Sequence, residues 1–260
     1  MDYIDRISSD YIDKINKVNY FKDLDWSEVQ TPRFWYKDEP LITHAFNVFS
    51  LLIPEAERFI VKSLKPYEKM ILEPQLKEQL QEFFVEEYTH SLQHTRFNED
   101  LKRHDYPVDF IVKIMRKGYQ TLTKLMSPKT KVAISVCFEH FTIMVASVGF
   151  EKELLEPDKS VITDLFLWHA YEEIRHRAFL MDIYHAIGGG YLRRLWAIFI
   201  STFFVFGYVC SIGLYILVFD DIFKRRGIKF KHVKAFLKFA WNLRSCRKYY
   251  FAYFKYHFKP

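Results

Sequence analysis

Glycine and proline are scarce in this chain, which has 8 glycines and 9 prolines among 260 residues. Asn-Gly and Asp-Gly pairs, which form tight hairpin turns, are absent from the sequence. No stretch sustains the alternation of apolar and polar residues that is typical of strands. These absences argue against a fold of short strands and predict an almost entirely helical chain.

Cysteine is also scarce, and Cys137, Cys210 and Cys246 lie far apart with no Cys-x-x-Cys pair. This pattern disfavours a disulfide framework or a zinc ribbon and favours a reducing compartment. The first residues, MDYIDRISSDYIDKIN, contain no apolar signal-peptide core, so we expect a cytoplasmic protein. An apolar content of 50% excludes general disorder and allows one large core.

Acidic residues are missing from the end of the chain. Residues 222–260 contain 12 lysines and arginines and no aspartate or glutamate, whereas the rest of the chain carries a net charge of −6. A basic segment rich in phenylalanine and tyrosine predicts contact with an anionic membrane surface. Nucleic acid is the disfavoured alternative partner.

One long run, residues 195–219, contains no charged residue. As a helix it would extend about 37 Å, which is enough to cross a bilayer. A single span below a cytoplasmic domain would place the basic tail outside, against the positive-inside rule. We therefore expect an element lying in the membrane plane, or a buried helix that covers the bundle or a homodimer interface. In either case the basic tail can lie on an anionic membrane surface, so we expect a protein that is peripheral or monotopic at the inner face of the membrane, with a wholly soluble protein as the alternative.

Prolines and the triplet GGG at 188–190 divide the chain into predicted helices. The predicted helices are 41–65, 74–104, 109–126, 129–155 and 158–186. Pro54 predicts a kink or a restart within the first helix. The predicted organisation is a leader (1–34), a di-metal helical bundle (35–190), an apolar helical segment (191–221) and a basic aromatic helix or tail (222–260).

Glutamates and histidines recur at matched spacing in four of these helices. Their order is Glu57, then Glu87 with His90, then Glu139, then Glu173 with His176. Separations of 30 residues from Glu57 to Glu87 and 34 from Glu139 to Glu173 match two pairs of antiparallel helices. The interval of 52 residues between the two pairs leaves room for a crossover helix.

Residues three apart on a helix point the same way, so each Glu-x-x-His pair can ligate one metal ion. Four carboxylates offset the charge of two divalent ions, and carboxylate with imidazole suits iron or manganese. This ligand set is typical of di-iron and di-manganese bundles. The sequence therefore predicts an all-α, ferritin-like four-helix bundle with extra crossover and C-terminal helices, holding two Fe ions, with Mn as the alternative. The competing interpretation is exposed glutamates and ordinary core histidines.

Several neighbouring residues leave alternatives open. Glu55 could replace Glu57, and His94 could be a ligand, lie in an outer layer or lie at the surface. His140 points about 100° away from Glu139 and is interpreted as structural. Glu86 and Glu172 have the wrong offset from the histidines, and Glu172 is expected to form ion pairs or an outer layer.

The stretches PEAERFI, FVEEYTHSLQHTRFN, CFEHFT and WHAYEEIRHRAFLMDIYHAIGGGY carry a resemblance to a known family. They resemble the ferritin-like bacterial family described as predicted metal-dependent hydrolases, over roughly residues 35–220. That family normally has Gly-Glu at Ala56-Glu57 and Gln-Glu at Glu86-Glu87, and it often has Glu-His at Arg175-His176. None of these departures removes an expected ligand.

His169 precedes Glu173 by four residues and His176 by seven. This spacing is similar to that of p-aminobenzoate N-oxygenases, and the similarity implies that His169 is a further metal ligand. The alternative is an outer hydrogen-bond donor to a ligand glutamate.

Two enzyme classes follow as expectations. The first is an O2-dependent di-iron oxidoreductase of oxygenase, hydroxylase or desaturase type, which needs an electron donor and acts on a small hydrophobic molecule. The alternative is a metal-dependent hydrolase that uses a bridging hydroxide. A non-enzymatic metal-storage or structural protein is the third interpretation.

Overall fold

The computed structural model describes residues 24–156, 159–218 and 228–258, and every extended regular element within them is a helix. The helices are α1 Pro40–Leu64, α2 Pro74–Lys102, α3 Val108–Leu125, α4 Pro128–Glu151, α5 Val161–His176, α6 Phe179–Ala186, α7 Tyr191–Ile216, α8 Phe230–Leu243 and α9 Cys246–Ala252. A short 3-10 helix, Lys65–Met70, joins α1 to α2. The prediction of an all-α fold is confirmed. Most of the predicted leader and the end of the apolar segment lie outside the described residues.

Four helices form the central bundle. Helices α1 and α2 pack together, as do α4 and α5, and the pairs meet through contacts of α1 with α4 and of α2 with α5. Ser50 lies opposite Asn98 while Ser91 lies opposite Pro54, so α1 and α2 run antiparallel. The crossover helix α3 covers α1 and α2, and α7, α8 and α9 all pack against α4. This is the ferritin-like arrangement.

The helix starts follow local sequence signals. Pro40, Pro74 and Pro128 occupy the first turn of α1, α2 and α4, where no backbone N–H is needed. Ser127 and Ser160 cap α4 and α5, because each side chain accepts a hydrogen bond from a backbone N–H in the first turn. These starts lie within three residues of the predicted ones.

One predicted helix, 158–186, is wrong as a single element. It breaks at Arg177 and Ala178, immediately after His176, into α5 and α6. Neither glycine nor proline marks this break, so the local sequence gives no signal for it. The stop at the glycine triplet is present: Gly188 has a φ of 74°, the left-handed conformation that glycine adopts most easily.

Two helices, α4 and α7, are long and apolar enough to cross a membrane by length and composition alone. Helix α4 is mostly buried, as expected for the core helix of a bundle, whereas α7 is mostly exposed. The buried residues of α7, which include Ala197, Ile198 and Ser201, face the bundle. Helix α7 therefore lies along the bundle with its opposite side uncovered by the described residues.

Helix α1 continues through Pro54 without the predicted restart. Proline has no N–H, so the carbonyl of Ser50 loses its helical hydrogen bond. The buried side chain of Asn98 replaces it, donating from Nδ2 to the Ser50 carbonyl at 3.0 Å. The side chain of Asn98 on α2 thereby replaces the backbone hydrogen bond that Pro54 removes from α1.

We expect Asn98→Ala to lower the free energy of unfolding by roughly 1–3 kcal/mol, because a buried carbonyl loses its partner. In a Pro54→Ala background the alanine N–H can bond that carbonyl, so the same substitution should cost less. Urea unfolding of the four variants measures the difference. Equal costs in both backgrounds would show that Asn98 does not compensate for Pro54.

Candidate metal centre

The bundle core brings together all seven predicted ligand side chains, and each is buried. They form two groups in which the candidate ligand atoms lie within 4.8 Å of one another. The first group is Glu57, His90, His169 and Glu173, and the second is Glu87, Glu139 and His176. Metal binding by these seven residues stays a prediction.

The grouping differs from the simplest interpretation of the Glu-x-x-His pairs. Glu173 lies with His90 rather than with His176, and Glu87 lies with His176. The two groups adjoin, since Glu87 Oε1 is also 3.8 Å from His90 Nδ1. Each glutamate therefore reaches toward the histidine of the other motif, a position suited to bridging two ions.

The histidines of both motifs are held from outside by a second carboxylate. His90 Nε2 lies 2.7 Å from Glu172 Oε2, and His176 Nε2 lies 2.7 Å from Glu86 Oε2. In a neutral ring, Nε2 then donates outward and Nδ1 presents its lone pair inward. The contacts are reciprocal, because the first glutamate of each Glu-Glu-x-x-His motif binds the histidine of the other. Sequence reasoning placed Glu86 and Glu172 outside the ligand set but did not identify these partners.

A chain of hydrogen bonds sets the orientation of His169. The side-chain amide nitrogen of Asn98 donates to the Ser50 carbonyl. The amide oxygen of Asn98 is therefore left to accept a hydrogen bond from Ser50 Oγ, at 2.8 Å. Ser50 Oγ then accepts from His94 Nδ1 at 2.9 Å, and His94 Nε2 accepts from His169 Nδ1 at 2.9 Å. The other nitrogen of His169, Nε2, lies 2.9 Å from Glu173 Oε1 and 3.5 Å from Glu57 Oε1, and in a neutral ring it carries a lone pair.

The neighbouring residues for which alternatives were open have hydrogen-bond partners outside the two ligand groups or in the layer around them. Both ring nitrogens of His94 are engaged in the chain that ends at His169. Glu55 turns away and accepts hydrogen bonds from Arg58 and Arg116 at 2.7 and 3.0 Å. His140 bonds the Tyr249 carbonyl at 3.2 Å, outside both groups.

Most of the inward-facing atoms fit a cation and have no hydrogen-bond partner among the described residues. Buried atoms without a hydrogen bond include Glu57 Oε2, both oxygens of Glu87, Glu139 Oε1 and Nδ1 of His90 and His176. Such unpaired buried groups are costly. Two divalent ions would satisfy these lone pairs and offset the four carboxylates. The residues present therefore fit a di-metal centre.

The pKa shifts of these glutamates and of His90 also favour a bound cation. Burial, reinforced by neighbouring carboxylates, raises the pKa of Glu57, Glu87 and Glu139 well above its usual range. Burial, followed by the charge of His169, lowers the pKa of His90 well below its usual value. Each group resists carrying its own charge, and a bound cation reverses this preference for the carboxylates.

An apolar cavity of about 730 Å³ reaches the first group. Thr142, His169 and Glu173 lie on its wall, and Thr142 also donates a hydrogen bond to Glu173. The remaining wall is almost entirely apolar and comes from α1, α4, α5, α7 and α8, as well as the α4–α5 loop. Residue spacing alone did not predict that α7 and α8 contribute to this wall.

Fold and site together define an all-helical, ferritin-like protein whose core assembles buried glutamate and histidine groups able to hold metal. A family model described as "Predicted metal-dependent hydrolase" matches residues 22–260. The chain belongs to this family. A search of curated proteins and a search of solved structures each found no match.

We expect Glu172→Leu to weaken metal binding by roughly 10–100-fold, because His90 loses the carboxylate that orients it. Glu172→Gln retains an acceptor and should have a smaller effect. Competition with a chromophoric chelator measures the affinity, and Glu78→Leu on the exposed side of α2 is the control. Affinity unchanged in Glu172→Leu would show that His90 needs no outer support.

Proposed function

We propose that the protein is a di-iron, O2-dependent oxidoreductase that acts on a small hydrophobic substrate. The observation that supports this best is the junction of the apolar cavity with the candidate ligands. His169 and Glu173 belong to both, so a molecule in the cavity would lie directly against the metal group.

The cavity wall favours a hydrocarbon substrate. Apart from the residues beside the metal group, its few side chains able to hydrogen-bond include His44 and Cys210. His44 is already engaged, because its Nδ1 lies 2.9 Å from the Tyr106 hydroxyl. A hydrocarbon offers no bond that water readily cleaves, so its transformation calls for an oxidant. O2 is itself apolar and can enter the same space.

Two bound Fe(II) ions would supply electrons and open coordination positions for O2 chemistry. The chain provides the surroundings. Glu86, Glu172 and His94 fix the rings of the three inner histidines, and Thr142 fixes Glu173 through its hydroxyl. The apolar wall excludes water and places substrate carbon next to the site.

For hydroxylation, the reaction balances with an external electron donor. One oxygen atom of O2 enters a substrate C–H bond and the other leaves as water. The donor supplies two electrons, and two protons are taken up. A desaturation would instead remove two hydrogens from the substrate and reduce O2 to two molecules of water with the same two electrons and two protons.

We expect protein purified without O2 and loaded with Fe(II) to bind about two irons per chain and to consume O2. His176→Ala should lose metal, because one ligand group loses its only imidazole. Elemental analysis and an O2 electrode measure the two properties, with His185→Ala as an exposed-histidine control. Wild-type protein that binds no transition metal would refute the proposal.

A metal-dependent hydrolase is the second candidate, and the description of the family favours it. Such an enzyme would cleave an ester of a hydrophobic alcohol or acid with metal-activated water. Turnover of a long-chain nitrophenyl ester, measured with and without O2 and reductant, distinguishes the hydrolase from the oxidoreductase. A hydrolase works without O2 and reductant and also with redox-inert zinc, whereas the proposed oxidoreductase depends on iron, O2 and a donor.

A further inference from the structure

Helix α7 exposes a continuous apolar stripe. Its members recur every three or four residues and fall within about 80° of one another around the helix. They are Leu192, Trp196, Phe199, Phe203, Phe206, Cys210 and Leu214. Leu192 and Phe203 are 79% and 78% exposed, so no described residue covers them. A stripe of this length on a soluble surface marks an interaction site.

Helix α8 carries a second, shorter stripe with basic residues beside it. Phe230, Val233, Leu237 and Trp241 are exposed and again share one side of the helix. The adjacent side of the helix carries three exposed lysines, Lys231, Lys234 and Lys238. An apolar stripe edged by lysines is typical of a helix that lies in the surface of an anionic membrane.

Both of these helices line the cavity. Cys210 and Leu214 belong to the α7 stripe and also line the cavity, and Val233 does the same for the α8 stripe. The cavity wall is therefore continuous with both exposed stripes. A hydrocarbon chain could pass from the outer surface to His169 and Glu173 along apolar side chains only.

We propose that the α7 and α8 stripes seat the protein on an anionic lipid bilayer, and that the cavity takes a lipid hydrocarbon chain directly from it. The reaction that a bound lipid would undergo depends on the proposed function, whereas the binding of the bilayer and of the lipid chain does not. It names the hydrophobic substrate as a membrane lipid or another long-chain molecule dissolved in the bilayer. The cavity volume lies within the range of roughly 300–1,000 Å³ usual for sites that enclose small-molecule ligands.

Charge distinguishes a bilayer from a second copy of the chain as the occupant. A symmetric dimer through these stripes would bring the α8 lysines of two chains together, at an electrostatic cost. An anionic bilayer instead receives the phenylalanines and tryptophans in its interfacial region and the lysines among its headgroups. The absence of acidic residues from 222–260 reinforces this preference.

Vesicle flotation tests the docking surface with the full chain. We expect binding to phosphatidylcholine vesicles that contain phosphatidylglycerol, and much weaker binding to phosphatidylcholine alone. Lys234→Glu with Lys238→Glu should reduce binding roughly tenfold or more. The control pair, Lys69→Glu with Lys77→Glu, makes the same change in net charge on exposed lysines outside α7 and α8 and should retain binding. Phe203→Ser should weaken binding without altering the charge.

Three outcomes would overturn the docking surface. One is equal binding to both vesicle types, and another is equal loss in the two lysine pairs, which would indicate a general charge effect. The third is a stable dimer that Phe203→Ser dissociates, combined with no vesicle binding, because the stripes would then be a contact between two copies.

Substitutions at two glycines of α7 test whether the cavity binds a hydrocarbon chain. A Cβ at Gly213 or Gly207 would meet no atom within 4 Å, so either position has room for a larger side chain. Gly213 lines the cavity and Gly207 does not. With cis-parinaric acid as the fluorescent probe, we expect one saturable site per chain, weakened at least tenfold by Gly213→Phe and retained in Gly207→Phe.

Equal probe affinity in the two glycine variants would overturn the cavity assignment. Both assays need neither metal nor O2, so they separate this inference from the proposed function. Lipid binding without iron-dependent O2 consumption would refute only the oxidoreductase. Iron-dependent O2 consumption without lipid binding would refute only the membrane-fed cavity.

Discussion

The structure depends on the compensation of negative charge within a dry bundle core. Four buried glutamates face three imidazole lone pairs, and the inward-facing atoms include several with no hydrogen-bond partner. An arrangement of this kind is unfavourable unless cations fill it. The surrounding contacts serve this centre, since the outer carboxylates and the His94 chain all turn ring nitrogens toward it. The helices are thus arranged around an electrostatic requirement as well as an apolar core.

Backbone chemistry and site chemistry are connected through Asn98. Its amide nitrogen replaces the hydrogen bond that Pro54 removes, which leaves its oxygen to accept from Ser50. The direction of each following hydrogen bond is then determined as far as His169. A proline in the middle of a helix, which usually weakens it, here contributes to the protonation pattern of a candidate ligand.

Much of this could be predicted from residue spacing. Glu-x-x-His pairs preceded by lone glutamates identify four helices and their antiparallel pairing, because side-chain direction on a helix follows from its period. The break after His176 could not be predicted, since Arg177 and Ala178 carry no helix-stop signal. The partners of Glu86 and Glu172 depend on how α2 meets α5, which local sequence does not determine. The repeated Glu-Glu-x-x-His pattern was the available clue.

The crosswise pairing of Glu172 with His90 and of Glu86 with His176 ties the two Glu-Glu-x-x-His motifs to each other. Both contacts join α2 to α5, so the ring orientation of a histidine on one helix depends on a carboxylate of the other helix. A small shift of α2 along α5 would therefore misalign both imidazoles at once. The two ligand groups thus depend on a single helix–helix register.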